Sequence, residues 1–155
     1  MKEIIVLAAD HAGFALKEKI KLWLKNEKSE SSKHEVVDSS PNLIQGDDYP
    51  DQAFKAAKEV RRRKARGVFI CGTGEGMCMA ANKVKGIRAG LGYDLKSARL
   101  IREHNDSNVL CLGGRILKEA LAKAIVKAWL SASYQGGRHD RRIQKISRHE
   151  KFRFH

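Results

Sequence analysis

The amino-acid sequence predicts an α/β fold of three layers: a doubly wound (Rossmann-like) arrangement around a mostly parallel, five-stranded sheet. Short runs rich in Val, Ile and Leu alternate strictly with amphipathic helical segments. The runs also lack the polar/apolar alternation of strands that face solvent on one side. Strands of this kind joined by helices form parallel sheets with right-handed crossovers. The length of 155 residues fits one domain, which we expect to span residues 1–155.

The strands and helices follow one another in a regular order. The segments with the composition of buried strands are residues 3–9, 35–38, 67–71, 87–91 and 108–112. A helix is predicted after Gly13, where Leu16, Ile20, Trp23 and Leu24 recur at helical spacing. Further helices are predicted over residues 51–66, 77–84, 94–103 and 117–130. The connections 26–34 and 39–50 are polar and are predicted to be loops.

A last helix is predicted over residues 138–148, after Gly136 and Gly137, which interrupt the preceding helical pattern. It carries too little apolar surface to belong wholly to the same core. We therefore expect it to pack on a partner subunit, in a homodimer or a tetramer.

Composition and charge exclude several classes of protein. The apolar fraction of 42% is too high for a disordered basic protein, although 31 Lys and Arg against 18 Asp and Glu give a net charge of +13. No run is long and apolar enough for a membrane span, and the first residues lack a signal peptide's pattern, so we expect a cytoplasmic protein with no membrane partner. The three cysteines form no CxxC pair, which argues against a zinc site or a disulfide framework.

The predicted site lies where the strands end. In open α/β sheets, ligands bind outside the carboxyl ends of the strands. Here these ends are followed by polar residues: Asp10 and His11, Cys71, Tyr93 and Asp94, and Gly113, Gly114 and Arg115. One edge of the sheet is therefore expected to hold an acid, an imidazole, a thiol and a guanidinium group.

A glycine-rich turn follows the third strand, with the order Gly72, Thr73, Gly74, Glu75, Gly76. Main-chain N–H groups in such a turn can bind an anion, but for the turn taken alone a tight strand-to-helix connection that needs glycine for its backbone angles is the simpler explanation. The turn matches neither the Walker pattern nor GxGxxG. Cys71 precedes these donors, a setting that favours a thiolate able to act as a base. Cys78 and Cys111 lie in apolar segments and are interpreted as small core residues.

Three further residues are candidates with simple structural alternatives. His104 lies between a helix and the fifth strand, where it is either an acid or a structural histidine. Arg138 and Arg142 are four residues apart, so we expect them on one helical face, where they either grip a phosphate or form part of a solvated basic surface. The remaining histidines outside the motifs, His34, His149 and His155, are interpreted as surface residues.

Many motifs in order resemble one family, the type B ribose-5-phosphate isomerases and the related galactose-6-phosphate isomerase subunits. The matching segments are Asp10-His11-Ala12-Gly13, Asp48-Tyr49-Pro50, Ile70-Cys71-Gly72-Thr73-Gly74 with Gly76, Ala80-Ala81-Asn82-Lys83, Gly86-Ile87-Arg88-Ala89, His104-Asn105-Asp106-Ser107-Asn108, Gly113-Gly114-Arg115 and Gly136-Gly137-Arg138-His139. They run nearly from end to end. The resemblance implies an aldose–ketose isomerase that needs neither a metal nor an organic cofactor.

The resemblance also implies residue roles. Cys71 matches the family's base, His104 its ring-opening acid, and Thr73 the residue that orders the turn. The backbone of Gly72, Gly74, Glu75 and Gly76 matches its site for the enediolate. The expected substrate-binding residues are Asp10, His11, Asn105, Arg115, Arg138 and Arg142. Family members have sites at a subunit boundary, so His104, Asn105 or the C-terminal arginines are expected to serve a neighbouring copy.

Glu75, the Ser-rich segment 29–33 and the basic C-terminal tail depart from the family pattern. A carboxylate beside an anion site disfavours the enediolate, so Glu75 is expected to point outward. The expected reaction interconverts ribose 5-phosphate and ribulose 5-phosphate. The alternatives are a six-carbon phosphosugar isomerase, acting on galactose 6-phosphate or allose 6-phosphate, a basic nucleic-acid-binding module, and a non-catalytic nucleotide-binding domain. We expect no nucleic-acid partner.

Overall fold

The computed structural model describes residues 2–26 and 34–152, and within them five strands form one sheet. The strand order is β2-β1-β3-β5-β4. The strands are β1 (Glu3–Ala9), β2 (His34–Asp38), β3 (Arg66–Cys71), β4 (Ala89–Leu91) and β5 (Val109–Gly113). Every neighbouring pair is parallel, so the carboxyl ends of all five strands meet at one edge of the sheet. The predicted fold class is confirmed.

Helices cover both faces of the sheet. They are α1 (Phe14–Asn26), α2 (Tyr49–Arg63), α3 (Glu75–Ala81), α4 (Leu95–Asn105), α5 (Glu119–Ser131) and α6 (Asp140–Phe152). Helices α1, α4 and α5 pack on one face, where Ile20, Ile125 and Trp129 are fully buried. Helices α2 and α3 pack on the other, around Phe69 and Met77. The molecule therefore has the three layers that its sequence predicts.

Two helices, α2 and α3, end three residues before the predicted position. Helix α2 ends at Arg63 because Lys64 adopts a left-handed conformation, with φ of 53°, so Arg66 begins β3 instead of ending the helix. Helix α3 begins at Glu75 and ends at Ala81, and Ile87, predicted to open the fourth strand, lies in a turn whose N–H donates to the carbonyl of Val84. These differences move no predicted element to another layer.

Helix α6 is poorly covered by the rest of the chain. None of its side chains from Asp140 to Lys151 is buried, and Ile146 is 50% exposed. One contact ties its end to the body, since the Glu150 carboxylate accepts from the Gly86 N–H at 3.2 Å. The lack of burial agrees with the expectation that this helix needs another surface to pack on.

The structure does not test every expectation from the sequence. The Ser-rich segment 29–33 and His155 are not among the residues that the structure describes. In the described parts of the chain, no helix combines the length and the apolar character needed to cross a bilayer.

The start of α1 is pressed against the end of β3. A Cβ atom added to Gly13 would lie 2.2 Å from the main-chain oxygen of Ile70, a separation that real Cβ atoms do not tolerate. This contact holds the Asp10–His11 segment beside Cys71, the residue after Ile70. Gly13 therefore joins two of the loops that the sequence places at the site.

We predict that Gly13→Ala lowers the free energy of unfolding by at least about 2 kcal/mol, because a backbone atom must move to admit the methyl group. Denaturant unfolding monitored by circular dichroism measures the change. Gly72→Ala is the matched control, since its added Cβ meets nothing closer than 3.4 Å. Equal stability of the two variants would contradict the close packing of α1 on β3.

Candidate active site

The loops after β1, β3 and β5 are packed together at the carboxyl edge of the sheet. The Gly114 N–H donates to the Cys71 carbonyl at 2.7 Å, and the Arg115 N–H donates to the Gly72 carbonyl at 2.9 Å. A Cβ on Gly114 would lie 2.8 Å from the Ala12 oxygen, so the first and last of these loops also touch. Parallel strand order thus brings together three segments that are distant in sequence.

Cys71 closes β3 with its thiol turned into the glycine-rich turn. The side chain is 4% exposed, and its Sγ accepts a hydrogen bond from the Gly74 N–H at 3.2 Å. Gly74 has φ of 87°, and a Cβ there would lie 2.7 Å from Leu91 and 2.8 Å from the main chain of Leu112. Only glycine can fill this position. The turn therefore aims a main-chain donor at the sulfur, which stabilises negative charge there.

The other turn residues lie closer to solvent. Thr73 Oγ1 accepts from the Glu75 N–H at 3.4 Å, a local bond that orders the turn. Glu75 is exposed. Gly76 lies under the ring of Tyr49, which a Cβ at Gly76 would approach to 2.7 Å. Tyr49 was not singled out as a site residue in the sequence, although it belongs to one of the family motifs.

Asp10 and His11 are held by backbone and loop contacts. Asp10 is 6% exposed, and its Oδ1 accepts from the Gly13 N–H at 3.0 Å. His11 is bound by Asp47, whose Oδ1 accepts from the His11 main-chain N–H at 2.7 Å and lies 3.1 Å from His11 Nδ1. Sequence reasoning missed Asp47, because the two residues are 36 positions apart and Asp47 lies in a segment interpreted only as a loop.

Arg115 brings positive charge to the same edge. Its Nη1 lies 3.4 Å from the position that a Cβ on Gly72 would occupy. The guanidinium group therefore lies beside the glycine-rich turn. The residues that the structure gathers at this edge are Asp10, His11, Cys71, Gly72, Thr73, Gly74, Glu75, Gly76 and Arg115.

The other predicted residues lie at the opposite edge of the sheet. His104 and Asn105 end α4, close to the start of β5. The ring of His104 stacks on that of His139, with centroids 4.4 Å apart and planes 17° from parallel. His139 is 8% exposed and was not assigned a role from the sequence. A pair of stacked imidazoles is the central feature of this second group.

Arg138 and Arg142 do not lie on one helix, which corrects the expectation from their spacing. Gly136 and Gly137 have positive φ angles, so the chain forms a 3₁₀ turn over Gly137–His139 and α6 begins only at Asp140. Arg142 Nη1 still reaches the Arg138 carbonyl at 3.3 Å, and both residues are exposed. The two arginines are therefore neighbours beside His139, held by a turn and the first turn of α6.

The length of β3 separates the two groups of residues. Cys71 ends this strand, and six residues of parallel strand span about 16 Å between their first and last Cα atoms. His104 lies near the amino ends of the strands and Cys71 at their carboxyl ends. One copy of the chain therefore does not bring the thiol and the His104 imidazole together.

Of the other two cysteines, one is fully buried and one is partly buried against the core. Cys111 is fully buried in β5, and burial raises the pKa of its thiol. Cys78 packs against the α2–α3 core, with its Sγ 3.4 Å from the Ala89 carbonyl. Among residues 2–26 and 34–152, no three His, Cys, Asp or Glu side chains are grouped as metal ligands would be.

A cavity of about 630 Å³ lies between α6 and the end of α4. Ile87, Ile101 and Ile143 give it an apolar lining, and Asn105 lies at its wall. The cavity therefore adjoins the second group of predicted residues rather than the Cys71 loops.

We predict that His139 makes the fold sensitive to acid. Burial, the neighbouring His104 and the charges of Arg138 and Arg142 lower the pKa of His139 below its usual 6.5. The unfolded chain therefore binds a proton more readily than the folded one, and stability is lost as the pH falls below about 6.5. His139→Phe keeps an aromatic ring in the stack and should lose less unfolding free energy than wild type between about pH 7.5 and about pH 5.

Urea unfolding at the two pH values tests this prediction. His149→Gln, at an exposed position of α6, is the control and should keep the wild-type pH dependence. An identical pH dependence in His139→Phe and wild type would show that His139 does not contribute.

Comparison with known proteins identifies relatives along almost the whole chain. The family model described as Ribose/Galactose Isomerase matches residues 5–146. The probable ribose-5-phosphate isomerase B of Mycoplasma genitalium is 47% identical over 150 residues, which cover 95% of each chain. Ribose-5-phosphate isomerase B of Escherichia coli K12 is 42% identical over 144 residues, covering 92% of this chain and 93% of that protein.

A solved structure agrees in fold as well as in sequence. Ribose-5-phosphate isomerase B from Mycoplasma genitalium, crystallised with bound ribulose-5-phosphate, superposes with a TM-score of 0.90 at 45% identity. The match covers 97% of this chain and 98% of that one. Motifs, fold and sequence identity thus agree over nearly the same residues, and the chain belongs to the ribose/galactose isomerase family.

Proposed function

We propose that this protein is a cofactor-independent isomerase that interconverts ribose 5-phosphate and ribulose 5-phosphate through an enediolate. The observation that carries the proposal is the Cys71 sulfur, held at the carboxyl edge with the Gly74 N–H directed at it. Membership of the family and the relative solved with ribulose-5-phosphate support this substrate. A six-carbon sugar phosphate is the alternative substrate within the same chemistry.

Cys71 supplies the base. Its thiolate removes the hydrogen on C2 of the opened aldose as a proton, leaving the electron pair in an enediolate over C1 and C2. The same group returns the proton to C1. O1 gains a proton and O2 loses one, so the ketose has the composition of the aldose. A positioned base of this kind accounts for about 10²–10⁴ in rate.

The glycine-rich turn stabilises the intermediate. Negative charge develops on the enediolate oxygens, and main-chain N–H groups of residues 72–76 are fixed in place before the reaction by the close contacts of Gly74 and Gly76. A preorganised donor of this kind contributes about 3–4 kcal/mol. Thr73 orders the turn, and the exposed carboxylate of Glu75 faces solvent, where it disturbs the intermediate least.

A second copy of the chain completes the site. His104 of that copy acts as the acid that opens the sugar ring, Asn105 holds a sugar oxygen, and Arg138 and Arg142 bind the phosphate. The separation of these residues from Cys71 within one chain supports this arrangement, as does the exposed α6, which packs on the partner in a homodimer. Asp10, His11 and Arg115 bind the substrate from the Cys71 side.

The expected partner molecules and cellular location follow from the proposed reaction. The chain acts as one domain, and its partner molecules are a sugar phosphate and a second copy of itself rather than nucleic acid or membrane. A substrate of central carbon metabolism supports a cytoplasmic location.

A panel of five- and six-carbon aldose phosphates, each assayed for ketose formation, tests the proposed substrate. We expect the highest kcat/KM with ribose 5-phosphate. A higher kcat/KM with galactose 6-phosphate or allose 6-phosphate would show that a six-carbon sugar phosphate is the preferred substrate. No turnover of any sugar phosphate in the panel would contradict isomerase activity.

We predict that Cys71→Ala lowers kcat by about 10²–10⁴-fold with little change in KM, because the base acts on the reacting carbon and not on substrate binding. Steady-state kinetics with ribose 5-phosphate measure both constants. Cys78→Ala is the matched control, since Cys78 packs against the core and lies outside the proposed site. Near wild-type turnover in Cys71→Ala would show that another group is the base.

A further inference from the structure

The imidazole of His11 is hydrogen-bonded to Asp47, an acidic residue that has no role of its own in the proposed reaction. Nδ1 of the ring lies 3.1 Å from Asp47 Oδ1 and 3.2 Å from the Asp47 main-chain oxygen. A carboxylate oxygen and a main-chain carbonyl oxygen are both hydrogen-bond acceptors. A bare lone pair on Nδ1 would be repelled by both, so Nδ1 carries a hydrogen and Nε2 is the ring atom left free.

The hydrogen bonds around Asp47 run in one consistent direction. Ser40 Oγ accepts from the Ala9 N–H at 3.3 Å, which leaves its own hydrogen to donate to Gln52 Oε1 at 2.8 Å. The Gln52 amide is thereby oriented, and its Nε2 donates to Asp47 Oδ2 at 3.0 Å. Both side-chain oxygens of Asp47 thus accept hydrogen bonds, Oδ2 from Gln52 and Oδ1 from His11.

A buried lysine anchors the start of this chain of hydrogen bonds. Lys17 is fully buried, and its Nζ donates to the Ser40 carbonyl at 2.7 Å and to both carboxylate oxygens of Asp38 at 2.8 and 2.9 Å. Ser40 also donates its main-chain N–H to Asp38 at 3.0 Å. The loop that carries Asp47 is therefore tied to the interior of the fold, although residues 41–46 around its tip are exposed.

We propose that Asp47 is a positioning residue that keeps the hydrogen of His11 on Nδ1, so that Nε2 is presented to the phosphorylated substrate. The inference rests on the proposed function in taking His11 as a substrate-binding residue. The hydrogen bond made by one ring nitrogen determines what the other can do. With Nδ1 engaged, Nε2 offers a lone pair to a sugar hydroxyl, and the protonated ring offers a charge-assisted N–H to an anionic oxygen.

The direction in which KM changes distinguishes this positioning role from a purely electrostatic effect of Asp47. Asp47 places a negative charge near the site of an anionic substrate, so removing it for charge reasons alone would strengthen substrate binding. Loss of a positioned His11 weakens binding instead. A substitution at Asp47 therefore moves KM in opposite directions under the two explanations.

The test uses Asp47→Ala and Asp47→Asn, with Asp51→Ala as the matched control. Asp51 lies in the first turn of α2, is exposed, and carries the same charge four residues away. We expect Asp47→Ala to raise KM for ribose 5-phosphate on the order of tenfold while kcat stays within about threefold, the scale of one charge-assisted hydrogen bond. Asp51→Ala should leave both constants within about twofold, as is usual for an exposed surface change.

Long-range ¹H–¹⁵N NMR spectra of the neutral ring give a second readout that needs no turnover. Signals of His11 are assigned by their loss in His11→Gln. We expect the Nδ1–H form in wild type and in Asp47→Asn, which keeps a side-chain acceptor oxygen. In Asp47→Ala only the main-chain oxygen of residue 47 remains as an acceptor for Nδ1, so we expect a larger fraction of the Nε2–H form. If Asp47→Ala does not fold, the tautomer of His11 in the wild-type and Asp47→Asn spectra still tests the proposal.

An Nε2–H ring in the wild type would overturn the proposal, as would a lowered or unchanged KM in folded Asp47→Ala. If wild type isomerises none of the sugar phosphates, the proposed function fails, yet the NMR spectra still report the tautomer that Asp47 imposes. The two failures are therefore distinguishable.

Discussion

The parallel order of the sheet is the constraint on which the rest of the structure depends. It places the ends of β1, β3 and β5 side by side, so that Cys71, His11 and Arg115 lie at the same edge although they are far apart in sequence. It also returns α4 to the other edge, where His104 lies in the last turn of the helix. The thiol and the imidazole that the proposed reaction uses therefore lie about the length of a strand apart within each copy. For this reason the proposed site takes its imidazole from a second copy.

Close packing fixes the positions of the loops at the carboxyl edge relative to one another. Gly13, Gly74 and Gly114 each allow a backbone approach that a side chain would block, and each joins two of the loops at this edge. The Gly74 N–H therefore faces the Cys71 sulfur before any substrate arrives. Fixed donors of this kind need no reorganisation as charge develops, which is the property that makes an oxyanion site effective.

Sequence reasoning predicted the features that depend on local pattern. The apolar runs predicted all five strands, and the order of strand and helix predicted the edge at which Cys71 and the glycine-rich turn lie. It misplaced the end of α2, because the left-handed conformation of Lys64 leaves no clear mark in the sequence. It also treated Arg138 and Arg142 as one helical face, since their spacing carries no sign of the 3₁₀ turn between them. Asp47 was missed, and His139 was given no role of its own, because their partners, His11 and His104, are brought to them only by tertiary folding.

Subunit complementation tests the central claim of a site shared between two copies. Cys71→Ala and His104→Ala are each refolded alone and then together. In a mixed dimer, one site combines the intact Cys71 of one chain with the intact His104 of the other. We predict that each variant alone is nearly inactive, and that the equimolar mixture recovers about a quarter of wild-type activity, since half of the dimers are mixed and each has one complete site. A mixture no more active than its separate components would contradict the account.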